Sequence, residues 1–163
     1  MKKSIFTLLL LGCLMVVFFV PVSAVETTAN TEALTVSSVD VEYFEDGSYL
    51  VTTIKEGPTA RGEVYSKRGA KEVKLYNNDN ELQWIYTLVG TFTVETGVSA
   101  VCTDAYHLYE IYDTSWKETE HNEWYSGNVA YGTSVFKRKV LFITTSTQEI
   151  TAGVTCDVYG VIS

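Results

Sequence analysis

Apolar and polar residues alternate with a period of two along nearly the whole chain after residue 35. The alternating runs are rich in valine, threonine, tyrosine and isoleucine, which favour β-strands. No segment shows a helical period of apolar residues over a comparable length. The pattern therefore predicts an all-β protein of roughly eight short strands, arranged as an antiparallel β-sandwich.

The stretch ELQWIYTLVGTFTV, residues 81–94, gives the clearest strand pattern. Its apolar face carries Leu82, Trp84, Tyr86, Leu88, Phe92 and Val94. Because the other face is mostly glutamine and threonine, we expect one face to meet a core and the other to meet water. Gly90 interrupts the apolar series, which predicts a bulge or a close approach of another segment.

Turn signals separate the other predicted strands. Asp46-Gly47 stands between two alternating runs and predicts a tight hairpin in which both central residues have positive φ. Residues 58–69, PTARGEVYSKRG, predict an irregular connection with at most a short strand inside it. Further strands are predicted at 105–112, 129–136 and 139–147, and the polar stretch 117–124 is predicted as a loop.

Residues 1–24 have the pattern of a secretory signal peptide. Two lysines precede a long apolar run, and PVSA at 21–24 places small residues at a cleavage site. An uncleaved anchor and, through Cys13, a lipoprotein are the alternatives. We therefore predict an exported, extracellular protein with a flexible lead at 25–34 and a single β domain at 35–163.

The charge of the chain narrows the range of partners. The sequence holds 12 lysines and arginines against 20 aspartates and glutamates. Cleavage after Ala24 removes two lysines and no acid, which leaves a net charge near −10. Such a chain repels phosphate backbones and anionic lipids. We therefore expect no nucleic-acid partner and no stable membrane insertion after signal cleavage.

Two cysteines, Cys102 and Cys156, remain beyond the signal peptide. Both lie on the apolar side of a predicted strand, and an even number of cysteines in an exported chain predicts a disulfide. There are three alternatives: a reactive thiol, a zinc site and pairing between molecules. A reactive thiol would need an electropositive setting, which is lacking here. A zinc site would need more ligands than the sequence offers. The prediction is an immunoglobulin-like architecture with one disulfide, although Trp84 precedes both cysteines instead of lying between them.

Few residues are candidates for chemistry. His107 precedes Glu110 by three positions, so their side chains would point to opposite faces of a strand. His121 lies in the polar stretch with three acidic neighbours, Glu118, Glu120 and Glu123, where a weak metal cluster is the alternative to a solvated loop. We predict no catalytic residue, no metal ligand and no cofactor. A small secreted hydrolase that uses these carboxylates near His121 is the alternative.

Tyrosine and tryptophan are concentrated between residues 106 and 131. Exposed aromatic residues of these types are common on binding surfaces, and Trp116, Trp124 and Tyr125 lie in or beside predicted turns. These three are therefore the candidate ligand contacts. The leading hypothesis is a non-enzymatic protein that binds a glycan or a protein, and a secreted toxin or antagonist is a further alternative.

Six short segments, in order along residues 74–163, carry a resemblance to known proteins. They are ELQWIYTLVGTFTV, VCTDA, IYDTSWK, SGNVAYGT, KRKV and VTCDVYGVIS. In these segments the chain resembles a group of short exported proteins of anaerobic Gram-positive bacteria that have no assigned activity. The resemblance implies a small secreted β domain with Cys102 bonded to Cys156, and it assigns no catalytic residue.

Overall fold

The computed structural model describes residues 33–59 and 62–163, which form eight strands and no helix. The strands are β1 (Thr35–Tyr43), β2 (Tyr49–Glu56), β3 (Val64–Tyr76), β4 (Leu82–Glu95), β5 (Ser99–Ile111), β6 (Trp116–Ser126), β7 (Val129–Val140) and β8 (Ile143–Thr155). Within these residues there is accordingly no helix long and apolar enough to cross a membrane. The predicted signal peptide at 1–24 and most of the lead lie outside the described residues.

Strands β1 to β5 form one antiparallel sheet and β6 to β8 form a second, each in the order of the sequence. The all-β, antiparallel prediction is thus confirmed, and a sandwich is compatible with the two sheets. The immunoglobulin-like arrangement is not confirmed. Immunoglobulin domains exchange strands between their sheets through Greek-key connections, whereas both sheets here are simple meanders.

The hydrophobic core lies between the two sheets and is centred on β4. The fully buried side chains of this strand are Trp84, Tyr86, Leu88, Phe92 and Val94, as the alternation predicts, and Leu82 is partly exposed. Trp84 stacks on Phe136 of β7 with ring centroids 4.3 Å apart, and Trp116 meets Trp84 edge-on at 6.3 Å. Aromatic contacts of this kind join the two layers.

Gly90 marks a close approach between the sheets, which is one of its two predicted roles. A β-carbon at this position would lie 2.9 Å from the Cβ atom of Ala130 on β7. It would also lie 2.7 Å from the ring of Phe92. The absent side chain therefore lets the middle of β4 approach the second sheet closely.

Two predicted connections are strands in the structure. The second half of region 58–69 belongs to β3, and the polar stretch 117–124 lies within β6. In β3 the alternation is obscured because Lys67 is only 1% exposed. Its ammonium group is held by the Gly57 carbonyl at 2.6 Å and by Glu56 at 3.3 Å, so a charged residue occupies a buried strand position.

The predicted hairpin at Asp46-Gly47 is confirmed, but its predicted turn type is wrong. Of the two central residues, Gly47 alone has positive φ, at 82°. Backbone hydrogen bonds from Phe44 to Ser48 and from Gly47 to Phe44 close a longer connection. Asp46 also accepts a hydrogen bond from the Ser48 amide at 3.0 Å, and this bond stabilises the connection between β1 and β2.

The turn between β7 and β8 exposes two bulky apolar residues. Leu141 and Phe142 have positive φ values of 48° and 69°, in a position where hairpins usually carry asparagine and glycine. Phe142 is 100% exposed and Leu141 is 85% exposed. The side chain of Phe142 thus contributes nothing to the core.

The predicted disulfide between Cys102 and Cys156 is not seen, and both residues are buried free thiols. The amide of Cys102 donates to the Gly127 carbonyl, and the amide of Cys156 donates to the neighbouring Asn128 carbonyl. The β6–β7 turn therefore lies between the two cysteines. Each sulfur instead approaches a backbone oxygen close to it in sequence, that of Asp104 at 3.3 Å or Asp157 at 3.5 Å.

We expect both thiols to be free but protected in the folded protein. Burial raises the pKa of the Cys102 thiol, and it raises the pKa of Cys156 to about 11, so little reactive thiolate forms near neutral pH. Peptide mapping after iodoacetamide treatment without reductant should show both residues labelled in denaturant and neither labelled promptly in buffer. Two unlabelled cysteines in denaturant would instead establish a disulfide.

Candidate functional site

A bulge in β6 places three ionisable residues on one face of the strand. The register with β7 shifts between Glu118 and Glu120, and this extra residue reverses the alternation of side chains beyond it. Glu118, His121 and Glu123 consequently share a face. Their partners across the ladder are Phe136, Ser134 and Gly132, and all three of these are buried.

His107 of β5 meets this face from the other sheet. Its side chain is 10% exposed, and its ring stacks near those of Tyr86 and Tyr109, with centroids 5.6 and 5.9 Å away. The ring of His121 lies 4.6 Å from it. We name His107, His121, Glu118 and Glu123 the His–Glu cluster.

Glu118 anchors the cluster. Its side chain is 4% exposed, and one carboxylate oxygen accepts a hydrogen bond from the Ser134 hydroxyl at 2.5 Å. The carboxylate also lies 3.1 Å from Nε2 of His107 and 3.6 Å from Nδ1 of His121. Because an ionised carboxylate only accepts hydrogen bonds, Nε2 of His107 is the donor in this contact.

The contact between His107 and Glu123, unlike that between His107 and Glu118, is short but is not a hydrogen bond. Nδ1 of His107 lies 2.6 Å from Oε1 of Glu123, yet this buried oxygen receives no hydrogen bond. A neutral histidine that donates through Nε2 carries a lone pair on Nδ1. In that tautomer two electron-rich atoms face each other at short range.

A buried hydroxyl without a hydrogen-bond partner lies beside the cluster. Tyr86 is fully buried, and its oxygen occupies the space that a side chain at Gly132 would need. Burial, followed by the negative charges of Glu123 and Glu118, raises the pKa of this hydroxyl well above its ordinary value. Tyr86 is therefore a neutral potential donor at physiological pH.

Sequence reasoning did not bring His107 together with His121 and Glu123, for two reasons. His107 was considered only with Glu110, because nothing in the sequence pairs β5 with the inward face of β6. The bulge at Glu118 also hides the shared face, since positions 118, 121 and 123 do not follow a period of two. Glu120, by contrast, points away, is 71% exposed and lies 3.7 Å from Lys137.

The three predicted ligand contacts do not form one patch. Trp116 lies directly after a turn, as predicted, but it is 6% exposed and packs in the core, so its predicted exposure is wrong. Trp124 and Tyr125 are exposed, by 42% and 52%. Because they are consecutive residues of β6, their side chains lie on opposite faces of the strand.

Two surface cavities in the described part of the chain lie away from the cluster. The larger, of about 360 Å³, is bordered by Trp116, Gln83 and Gln148, and the smaller, of about 200 Å³, by Lys71 and Glu149. Neither is lined by a residue of the His–Glu cluster.

Comparisons with known proteins assign no role to these residues. No protein-family model, no curated protein and no solved structure matches the chain. The resemblance to short exported proteins of Gram-positive bacteria stays a prediction.

Proposed function

We propose that this protein is a secreted, non-enzymatic binding protein that recognises an uncharged glycan on the outer face of its three-stranded sheet. A stacked aromatic pair, the exposed Trp124 and the partly buried Tyr131, carries the proposal. Trp124 of β6 and Tyr131 of β7 are partners across the ladder, with ring centroids 5.3 Å apart and an 11° angle between the rings. Aromatic residues with one apolar and one polar side are frequent in contact surfaces.

The surroundings of the pair leave room for a ligand. Gly153 of β8 is the ladder partner of Tyr131, and a β-carbon there would lie 4.0 Å from the tyrosine ring. No side chain of Gly153 therefore covers the ring. Asn122 and Thr133 form the next partner pair on the same face and offer amide and hydroxyl groups.

This combination suits a sugar ring. The C–H face of a pyranose packs on an aromatic surface, while its hydroxyl groups hydrogen-bond with amides and hydroxyls beside that surface. The chain has a formal net charge of −8, which disfavours sulfated or phosphorylated glycans. An uncharged glycan is therefore the ligand class that the face fits.

Trp124→Ala is expected to weaken glycan binding by at least about tenfold, since a hot-spot aromatic side chain contributes about 2 kcal/mol or more. The wild-type chain would first be applied to an array of uncharged glycans. Its best ligand would then be titrated by calorimetry into the wild-type protein and the variant.

Tyr125→Ala is the matched control, because it removes a neighbouring exposed ring from the opposite face of the same strand. Its affinity for the glycan should equal that of the wild type. Two results would overturn the proposal: an array on which no uncharged glycan binds, or equal affinities for Trp124→Ala and the wild-type chain.

The hydrolase alternative has one observation in its favour, namely that Glu118, Glu123 and His121 lie together. Against it, Glu120 faces the other side of β6, and neither described cavity reaches these carboxylates. Turnover of a polysaccharide or peptide by the wild-type protein, abolished in Glu123→Gln, would replace the binding proposal with this alternative.

A further inference from the structure

We infer that the His–Glu cluster binds a divalent transition-metal ion, with Zn²⁺ as the expected ion. His107, His121 and Glu123 would be the ligands, and Glu118 would position His107. This site lies on the face of β6 opposite to Trp124, so the inference is independent of the proposed glycan function.

The ligand atoms are already close together. One donor atom from each of His107, His121 and Glu123 lies within 4.8 Å of the other two. Ligands of a tetrahedral zinc ion are about 3.3 Å apart, given metal–ligand bonds of about 2.0–2.1 Å. His121 is 53% exposed at its side chain, so it has room to approach the other two ligands. Nδ1 of His107 and Oε1 of Glu123, now 2.6 Å apart, would also have to separate to about 3.3 Å.

The short contact between His107 and Glu123 is the strongest indication of a cation. Glu118 accepts from Nε2 of His107, which leaves Nδ1 2.6 Å from a buried carboxylate oxygen that receives no hydrogen bond. A metal ion shared by Nδ1 and this oxygen would convert a repulsive contact into two coordinate bonds. A carboxylate on the far nitrogen of a ligating histidine is the usual way in which such a ring is oriented.

The negative charges of the cluster also favour the binding of a cation. Glu118 and Glu123 bring two negative charges, and within residues 33–59 and 62–163 their ion-pair partners are histidines alone. A divalent ion balances these charges without protonating either ring. Imidazole nitrogens together with a carboxylate favour Zn²⁺ and its neighbours over Mg²⁺ or Ca²⁺, which prefer oxygen ligands alone.

The hydroxyl of Tyr86 is an independent indication of a bound metal ion. It is a fully buried donor without an acceptor, and it lies beside Gly132, the ladder partner of Glu123. Three protein ligands leave a fourth position on a tetrahedral ion for water. Such a water would supply an acceptor for a donor that otherwise has none.

The experiment is a metal titration of the full chain after treatment with a chelator. Co²⁺ serves as the spectroscopic probe, because tetrahedral coordination by protein ligands gives a much stronger visible absorption than octahedral aqueous Co²⁺. Zn²⁺ is titrated by calorimetry, and thermal unfolding is followed with and without Zn²⁺. We expect saturation at one ion per chain, a higher midpoint of unfolding with Zn²⁺ and displacement of Co²⁺ by Zn²⁺.

Four variants locate the site. His121→Ala, at a half-exposed position, should lower Zn²⁺ affinity at least about tenfold, and Glu118→Gln should lower it about 10–100-fold through the orientation of His107. Glu120→Gln removes an acid of the same strand from the opposite face and should bind Zn²⁺ like the wild type. Trp124→Ala should also retain full affinity, which separates this site from the glycan face.

The inference fails if the wild-type chain gives no saturable signal with either ion. It also fails if His121→Ala binds as tightly as the wild type, or if Glu120→Gln loses as much affinity as His121→Ala. In the first of these cases a proton shared between His107 and Glu123 would occupy the position assigned to the metal.

Discussion

Phe136→Ala is expected to lower the free energy of unfolding by about 3–5 kcal/mol, the range typical for truncation of a buried phenylalanine. The ring of Phe136 is fully buried and stacks on Trp84 of the opposite sheet, with an angle of 7° between them. Its removal takes away apolar contact and leaves a cavity at the centre of the interface between the sheets. Urea unfolding followed by circular dichroism measures the change.

Phe142→Ala is the matched control, because it deletes the same side chain from a fully exposed position in the β7–β8 turn. Its free energy of unfolding should remain within about 0.5 kcal/mol of the wild-type value. Equal losses in the two variants would contradict the assignment of Phe136 to the core, as would a loss below about 1 kcal/mol at Phe136.

Gly132→Ala is expected to destabilise the protein by about 1–3 kcal/mol or more, the usual cost of overpacking a filled interior. The added methyl group would overlap the Tyr86 hydroxyl and would lie 2.8 Å from a methyl group of Leu88. Both side chains are fully buried, so neither can move aside without displacing the core. Chemical unfolding measures the loss.

Gly153→Ala adds the same methyl group on the neighbouring strand, where no atom would lie nearer than 3.9 Å. It should therefore change stability little. Tyr86→Phe removes the overlapping hydroxyl, which lacks a hydrogen-bond partner, so it should reduce the cost of Gly132→Ala in the double variant. Identical costs of Gly132→Ala with tyrosine and with phenylalanine at position 86 would show that the hydroxyl is not the obstacle.

The alternation of residues was sufficient to predict strands that have one apolar face. In β4 every large apolar side chain from Trp84 to Val94 on the predicted inner face is buried, and Gly90 lies where the sheets approach each other. Such strands are predictable because every second side chain faces the core and must be apolar. The local sequence therefore shows which face of the strand is buried.

Strand β6 could not be predicted in the same way. Its inward face carries Glu118, His121 and Glu123, so neither side of the segment reads as apolar. The bulge after Glu118 also interrupts the period of two. A polar group inside a fold is stabilised by partners from distant strands, here His107 and Ser134, and local sequence contains no signal of those partners.

The cysteines show a related limit of sequence reasoning. The pattern correctly predicted that Cys102 and Cys156 are on inward faces, and both are buried. It contained no information on the distance between them, because that distance depends on the β6–β7 turn that lies between their backbones. Two cysteines on inward faces form a disulfide only where their strands also come within bonding distance.

The sequential order of strands in both sheets bears on the kinetics of folding. Each ladder joins two consecutive segments through a short connection, so its closure costs little chain entropy. Many β-proteins fold slowly because residues far apart in sequence must find each other. In this chain the hairpins can form early and independently, and the slow step should be the docking of β6–β8 onto β4, when Phe136 reaches Trp84.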